Sequence, residues 1–528
     1  MTLHEAIKAM ADEIASVLSN NKPSIYLYGS VVLDDFKLGW SDIDILVLTE
    51  FEITKEQANK LVNLRQNMLE KYPDNPYFRL FEGGMLSLDA LLNNTKERTV
   101  YWGTSGQRIT DSYKVDSFGM AELLDSGVLL HGDDIRDKMI YPLYAQMRDD
   151  IARHVQAARK HGVVVGWLLD IARGIYTLRT GKIIAKTAAG EWALENNLCP
   201  DADAMQKTIQ CRKEAHFMKE KSIDNSIIQR FADVIDAEFA NTAERFAQSE
   251  LQRMNIAYDT LSLIRNKDGV SVWRVNSDNG SVVMKCFDKQ EYRREIANYQ
   301  LLKSLGVPTL EFIAHTDCSF IMEDIEHSKY RLATEKDTSD PNTAIKIARW
   351  YKTLHQNGRD YANTHPMFDE CDTITAENIN KIKEKTGTDG LPVWTLIEDN
   401  LNKIRSAAIR LPRTLNYNDF HYTNLVVARD DSSALVFDYN LLGKGYVYSD
   451  IRNVCCSLGS DDARKALLTE YGNYDESEKL VDDVVNSLYS LYVACQRESF
   501  PNWANDLLDK VKDGTLFTAV KKLLEETA

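Results

Sequence analysis

The sequence predicts a multidomain protein of mixed α/β and α+β class. Its 528 residues, 44% of them hydrophobic, suffice for several buried cores. Strand and helix patterns alternate at first and then give way to a long helical stretch. Beyond Met254, β-formers alternate with turn residues before a mainly helical remainder. We therefore expect four domains, covering residues 1–145, 146–254, 255–326 and 327–528.

The composition narrows the class of protein. A formal net charge of -16 disfavours binding to nucleic acid, which relies on basic residues, and suits cationic small molecules. The eight cysteines show no metal-ligand spacing, which favours a reducing compartment. The N-terminus lacks a signal-peptide pattern and no apolar run is long enough to span a bilayer. We expect a cytoplasmic protein with no membrane partner, and the sequence leaves its oligomeric state open.

Two acidic residues begin a strand that is otherwise apolar. Residues 3–19 have helical spacing, "SIYLYG" follows as a strand, and "DIDILVL" is the next strand. Because strand side chains alternate, Asp42 and Asp44 share one face. Neighbouring carboxylates are costly unless a cation neutralises them, and oxygen ligands suit Mg²⁺. The pair is predicted to hold metal.

Further residues complete a phosphate and metal site. Gly29 and Ser30 end the first strand, where free backbone N–H groups and a hydroxyl can receive phosphate oxygens. Asp89, in "LSLDALL", lies on the next strand candidate and would supply a third carboxylate, as a metal ligand or as the base for an acceptor hydroxyl.

Residues 1–250 resemble a known family. "GS", twelve residues before "SDID", resembles the GSx(n)SDxD motif of polymerase-β-like nucleotidyltransferases, and "WLLDIARGIYTLRTGKIIAKTAAGEWALENN" resembles the helical half of the aminoglycoside adenylyltransferases. The resemblance implies AMP transfer from ATP, with Arg173 and Lys186 facing the triphosphate. The family base is typically Glu, whereas the aligned position carries Asp89, and Glu82 is the alternative.

The acceptor implied by this resemblance is an aminoglycoside or aminocyclitol. The Trp and Asp that contact streptomycin in some members have no clear equivalent here, so a spectinomycin-like acceptor is favoured. Trp102, in "VYWGTSG", is either a stacking platform for the acceptor or a core residue, and we favour the core position.

The second half contains another set of oxygen donors. "NYNDFHYTNLVVARDDSSALVFDYN" carries Asp419, Asn424 and Asp438. Phosphoryl transfer needs one carboxylate to accept the hydroxyl proton, and an amide and a second carboxylate to hold Mg²⁺. Upstream, Lys285 lies in a strand and Glu295 in the following helix, which is the pairing that clamps ATP phosphates in kinase folds.

Two further segments are predicted to bind the nucleotide. "SFIMEDI" is interpreted as the hinge between two lobes, where an adenine would bond backbone groups of Met322, Glu323, Asp324 and Ile325. "RNKDGVSVW" is interpreted as a phosphate loop, although it is poor in glycine, and Gly269 and Ser271 would donate N–H groups there.

Residues 255–528 resemble the aminoglycoside phosphotransferase and choline-kinase-like family. "YNDFHYTN" stands where that family usually has HGDxHxxN. The resemblance implies a bilobal protein-kinase-like fold in which Asp419 is the catalytic base, Asn424 and Asp438 bind Mg²⁺, and His421 is structural. Tyr417 replaces the usual histidine. Asp450 matches an aspartate that supports the catalytic loop, with a helix N-cap as the alternative.

Together the two halves predict a bifunctional antibiotic-modifying enzyme. The first half would transfer AMP, and the second a phosphoryl group, to hydroxyls of an aminoglycoside-like small molecule. Both need Mg²⁺ and ATP, with GTP as an alternative in the second half. Two other interpretations remain: the kinase-like half is structural or regulatory, or the chain is a regulator that does not act on drugs.

Overall fold

The structure of the protein is a computed structural model that describes residues 1–103, 106–214, 223–497 and 499–526. The chain divides into two compact units, Met1–Ser249 and Glu250–Ala528, close to the predicted boundary at residue 254. Within the described ranges, no helix is both long enough and apolar enough to cross a bilayer.

The first unit is built on a six-stranded sheet. Its strands are β1 (Ser24–Tyr28), β2 (Ile43–Thr49), β3 (Phe81–Ser87), β4 (Thr99–Gly103), β5 (Gly106–Thr110) and β6 (Val128–His131), in the order β5-β4-β3-β2-β1-β6. The pair β2 and β3 is parallel, and the other neighbours are antiparallel. The parallel register puts Asp44 opposite Glu82. Residues far apart in the sequence therefore meet at one end of the sheet.

Helices cover the sheet and then form the predicted bundle. They are α1 (Leu3–Val17), α2 (Lys55–Lys71), α3 (Leu88–Asn93), α4 (Ser117–Ser126), α5 (Tyr144–His161), α6 (Gly166–Thr180), α7 (Lys186–Glu195), α8 (Ala202–Lys213), α9 (Asn225–Asn241) and α10 (Ala243–Arg253). Local signals set their ends. A capping box of Thr2 and Glu5 begins α1, and Gly181, with φ of 72°, follows the last residue of α6.

The second unit begins with an antiparallel sheet in the order β10-β11-β9-β8-β7. Its strands are β7 (Thr260–Lys267), β8 (Val270–Ser277), β9 (Gly280–Phe287), β10 (Phe312–His315) and β11 (Ser319–Glu323). Shorter strands follow: β12 (Tyr330–Leu332), β13 (Thr414–Asn416), β14 (Leu425–Ala428), β15 (Ala434–Val436) and β16 (Gly443–Gly445). The helices are α11 (Arg294–Ser304), α12 (Pro341–Thr364), α13 (Ala376–Thr386), α14 (Pro392–Arg410), α15 (Val447–Ser457), α16 (Asp461–Tyr471), α17 (Glu476–Cys495), α18 (Asn505–Lys512) and α19 (Thr515–Glu526).

An aromatic core joins the sheet of the second unit to its helical part. Tyr299 on α11 packs against Phe320 on β11 and, edge to face, against Tyr439. Tyr439 in turn lies parallel to Trp350 on α12. All four side chains are buried, so a continuous apolar layer lies between the small sheet and the larger helical lobe. The predicted succession of a β-rich lobe and an α-rich lobe is confirmed.

Candidate active sites

The first unit encloses a cavity of about 750 Å³ at the end of its sheet. Seven of its lining residues are among those predicted from the sequence or kept there as an alternative: Gly29, Ser30, Asp42, Asp44, Glu82, Arg173 and Lys186. The first five come from the sheet and its loops, and the last two from the helical bundle. The fold therefore brings together groups that are up to 157 positions apart, as Gly29 and Lys186 are.

Three carboxylates meet in this cavity. Asp42 immediately precedes β2, and Asp44 lies on β2. Glu82 lies opposite Asp44 on the neighbouring strand β3. Burial, together with the charges of Asp42 and Glu82, raises the pKa of Asp44 to about 7. Burial also raises the pKa of Asp42 and that of Glu82. Like charges that interact in a buried cavity are relieved by a divalent cation, and a set made only of oxygens fits Mg²⁺.

Gly29 allows the chain to pass directly beside one of these carboxylates. Its φ is 72°, and a Cβ at this position would lie 2.3 Å from Oδ2 of Asp44. The next residue, Ser30, donates its hydroxyl to the backbone oxygen of Asp42 at 3.3 Å. The turn after β1 is thus attached to the start of β2, next to the acidic cluster.

The structure corrects the predicted position of Asp89. Strand β3 ends at Ser87, whose hydroxyl accepts the N–H of Ala90 and caps α3. Asp89 therefore lies in the first turn of α3, exposed, where it accepts a hydrogen bond from Asn93 at 2.8 Å, and it does not line the cavity. Glu82, the alternative, is the third carboxylate of the cluster.

Tyr101 fixes the orientation of Glu82. Its hydroxyl donates to Oε1 of Glu82 at 2.8 Å, and both side chains line the cavity. No sequence pattern singles out Tyr101, because nothing in its spacing relates it to Glu82. Its neighbour Trp102 points the other way: it is fully buried and its Nε1 donates to the backbone oxygen of Leu61 at 3.0 Å. The core position favoured for Trp102 is confirmed.

The two predicted basic residues line the cavity from the helical bundle. Arg173 pairs with Glu122, and its guanidinium lies over the ring of Phe118, 5.0 Å from the ring centre. Burial lowers the pKa of Arg173 to about 10. Lys186 is the first residue of α7 and forms an ion pair of 2.7 Å with Asp170. Each cation therefore faces the cavity while a carboxylate holds it in place.

In the second unit, a lysine links the small sheet to two acidic residues. Nζ of Lys285 on β9 lies 2.6 Å from Glu295 on α11 and 3.2 Å from Asp438. Burial raises the pKa of Glu295 to about 7, although Lys285 opposes the rise. Burial also favours the neutral form of Lys285, but Glu295 and Asp438 outweigh this effect and raise the pKa of Lys285. The predicted strand and helix pairing is present, with Asp438 beside it.

The remaining predicted donors lie in the loops of the larger lobe. Nδ2 of Asn424 donates to Oδ2 of Asp419 at 3.1 Å, so the amide and the carboxylate are held together. Burial, followed by the charge of Asp438, raises the pKa of Asp419 to about 6. Two carboxylates, those of Asp419 and Asp438, thus interact with the lysine, and Asn424 is held by one of them; these oxygen donors also fit Mg²⁺.

Asp450 supports the loop that carries Asp419. Its carboxylate accepts the backbone N–H groups of Tyr417 and Asn418 at 2.8 and 3.0 Å, and Nε2 of His355 lies 3.1 Å away. Asp450 lies inside α15, whose N-cap is Tyr446, so it is not a helix N-cap. Its contacts agree with the alternative that it supports the loop.

Tyr417, which stands where a histidine was expected, is fully buried. Its hydroxyl donates to the backbone oxygen of Phe437 at 2.6 Å. His421 is exposed to solvent and its Nδ1 lies 2.9 Å from the hydroxyl of Thr423, which is consistent with a structural position.

The predicted phosphate loop is a tight turn that contains Gly269 but not Ser271. Gly269 lies in the tight turn between β7 and β8, with φ of 84°. Ser271, by contrast, is buried inside β8, where its hydroxyl accepts the indole N–H of Trp273 at 2.9 Å, because the turn is only two residues long. The expectation that Ser271 belongs to the loop is therefore corrected.

The predicted hinge segment spans the end of β11. Met322 and Glu323 are the last residues of that strand, and Asp324 and Ile325 come directly after it. The buried carboxylate of Asp324 pairs with Arg274 on β8 at 2.7 Å. The side chain of Asp324 is thus engaged inside the small lobe.

Three family models match separate segments of the chain. Residues 9–99 match a nucleotidyltransferase domain, residues 143–238 the C-terminal domain of aminoglycoside adenylyltransferases, and residues 262–481 a phosphotransferase enzyme family. The predicted resemblance of each half and the predicted enzyme class are confirmed. A comparison with curated proteins finds no match.

Solved structures are similar to parts of the chain at low identity. Spectinomycin adenyltransferase AAD(9) from Enterococcus faecialis is 17% identical and has a TM-score of 0.35, with 44% of this chain and 100% of that chain covered. Choline kinase LicA from Streptococcus pneumoniae is 15% identical, with a TM-score of 0.36 and coverage of 54% and 99%. Macrolide 2'-phosphotransferase MphH from Brachybacterium faecium is 13% identical, with a TM-score of 0.36 and coverage of 49% and 95%.

Proposed function

We propose that this chain, which joins a nucleotidyltransferase segment to a phosphotransferase segment, is a bifunctional antibiotic-modifying enzyme. The first unit transfers AMP from ATP to a hydroxyl of an aminoglycoside or aminocyclitol, with a spectinomycin-like acceptor favoured. The second unit transfers a phosphoryl group from ATP or GTP to a hydroxyl of an aminoglycoside-like molecule. The observation that carries the proposal is the meeting of Asp42, Asp44 and Glu82 with Arg173 and Lys186 in one cavity.

In the first unit, Asp42 and Asp44 would hold Mg²⁺, which neutralises negative charge on the nucleotide phosphates. Arg173 and Lys186 bind the triphosphate from the opposite wall of the cavity. Glu82 accepts the proton of the acceptor hydroxyl. Its raised pKa makes it a stronger base than an ordinary carboxylate, and Tyr101 keeps it oriented.

In the second unit, Asp419 accepts the proton of the acceptor hydroxyl, and Asn424 orients the carboxylate of Asp419. Asn424 and Asp438 would hold Mg²⁺, and Lys285 binds the nucleotide phosphates while Glu295 positions its ammonium group. Both reactions depend on positioning and on electrostatic stabilisation, and neither needs a covalent intermediate.

The acceptor is proposed to carry amino groups. Several carboxylates line the cavity of the first unit, Asp116 among them, and the aromatic side chain of Tyr113 lines it as well. Ammonium groups favour such a surface, because carboxylates attract them and aromatic faces stabilise them. An uncharged acceptor would gain neither interaction.

Separate substitutions test the two activities. Asp42→Asn should abolish the mass gain of one adenylyl group on the acceptor, and Asp419→Asn should abolish the mass gain of one phosphoryl group. The assay is mass spectrometry of spectinomycin, streptomycin and kanamycin after incubation with Mg²⁺ and either ATP or GTP. Unchanged products with Asp419→Asn would reject an active kinase and favour a structural or regulatory second half. No product from the unchanged protein would favour a regulator.

A second pair of variants identifies the base of the first unit. Glu82→Gln keeps the shape of the side chain and removes the proton acceptor, so the rate of AMP transfer should fall by about 10²- to 10⁴-fold. Asp89→Asn makes the same chemical change on the exposed helix α3 and should leave the rate unchanged. The opposite result would assign the base to Asp89.

A further inference from the structure

A buried ion pair lies beside the acidic cluster of the first unit. Nη2 of Arg212 on α8 lies 3.0 Å from Oδ2 of Asp35, and the two side chains are only 4% and 7% exposed. The same Nη2 donates to the backbone oxygen of Asp35 at 3.1 Å and to the hydroxyl of Ser41 at 3.3 Å. One guanidinium nitrogen thus contacts both ends of the segment that runs from Asp35 to Ser41.

The second arm of this network leads to helix α7. Nε of Arg212 donates to the hydroxyl of Thr187 at 3.0 Å, and that hydroxyl donates to Oδ1 of Asp35 at 2.5 Å. The backbone N–H of Thr187 also donates to Asp35, at 3.2 Å. Burial alone would raise the pKa of Asp35, but these hydrogen bonds and the charge of Arg212 lower it. Asp35 is therefore held as a carboxylate.

The contacts end next to two residues of the proposed reaction. Ser41 directly precedes Asp42, which is proposed to hold metal, and Thr187 directly follows Lys186, which is proposed to bind the triphosphate. A planar guanidinium with two donor directions can join Ser41 and Thr187 to the carboxylate of Asp35, whereas a single ammonium cannot reach Ser41 and Thr187 together.

We propose that Arg212 is a positioning residue for AMP transfer, which sets Asp42 and Lys186 at a fixed separation through Asp35, Ser41 and Thr187. This inference rests on the proposed function of the first unit. It predicts that loosening the network, part of which also lines the cavity, changes the separation of metal and triphosphate while Asp42 and Lys186 are both retained.

The test compares two variants with a matched control in the full-length protein. Arg212→Lys keeps the charge and loses the second donor direction, and Thr187→Val removes only the bridging hydroxyl. The control is Arg179→Lys, because Arg179 also forms a two-point pair, with Glu238 at 2.8 and 2.6 Å, and neither residue lines the cavity. AMP transfer to the acceptor that the unchanged protein modifies is followed by mass spectrometry at varied ATP and Mg²⁺, beside thermal unfolding.

We expect Arg212→Lys to lower kcat/KM for ATP by about tenfold or more and to raise the Mg²⁺ concentration that gives half the maximal rate. Thr187→Val should change both quantities in the same direction by less, and Arg179→Lys should change neither. Normal KM and Mg²⁺ dependence with a lowered unfolding temperature would overturn the positioning role, as would failure of both variants to fold while the control folds. If the unchanged protein transfers no AMP, the proposed function falls, and this inference with it.

Discussion

Substituting Gly29 by alanine should displace the carboxylate of Asp44 and so lower the rate of AMP transfer. At φ of 72° an alanine costs about 1–2 kcal/mol of folding free energy. The new Cβ would also lie 2.3 Å from Oδ2 of Asp44, whereas real Cβ contacts are essentially never below 3.0 Å. The carboxylate oxygen must therefore move by about 0.7 Å, which is on the order of the 1 Å displacement that costs about 10²-fold in rate. We expect AMP transfer to fall about tenfold to hundredfold.

Gly181→Ala is the matched control for this prediction. Gly181 also has φ of 72°, but it follows helix α6 and a Cβ there would meet no atom within 4 Å. Both variants should lose free energy of unfolding, measured by urea denaturation, and Gly29→Ala should lose at least as much as Gly181→Ala because its clash with Asp44 adds to the shared cost of φ. Only Gly29→Ala should lose activity, measured by mass spectrometry of the adenylylated acceptor. Equal activity in the two variants would show that the position of Asp44 beside Gly29 does not matter for the reaction.

Three further predictions concern other contacts. Tyr101→Phe removes a hydrogen bond that lowers the pKa of Glu82, so the acid limb of the pH–rate profile for AMP transfer should move to higher pH; an unmoved limb would exclude Glu82 as the base. Because the pKa of Asp419 is about 6 and the base acts as the carboxylate, phosphoryl transfer should decline as pH falls through about 6; a rate that is constant from pH 7 to pH 5 would contradict its role. Trp102→Ala should lower the free energy of unfolding by about 3–5 kcal/mol, because the side chain is fully buried and its N–H bonds Leu61; a loss below about 1 kcal/mol by denaturant titration would place Trp102 outside the core.

The sequence was sufficient where side-chain alternation or a long motif fixed the geometry. Asp42 and Asp44 could be assigned to one face because strand residues alternate. Lys285, Glu295 and Asp438 could be grouped because the order of strand, helix and loop was clear from the pattern, and they do lie in contact.

The sequence was insufficient where a short local signal competed with hydrophobicity. "GGMLSLDALL" is apolar throughout, and only the cap formed by Ser87 shows that the strand has ended before Asp89. The pattern of "RNKDGVSVW" does not show that only two residues join the strands, so it places Ser271 in a loop, whereas Ser271 lies in β8. Arg212 and Asp35 are 177 positions apart, so no spacing in the sequence could relate them.

The hydroxyl of Tyr417 connects two segments that carry predicted site residues. It binds the backbone just before Asp438, while its own backbone continues, two residues later, to Asp419. One buried ring thus links the backbone next to Asp438 to the backbone next to Asp419. A tyrosine makes this link at the position where the motif usually carries a histidine.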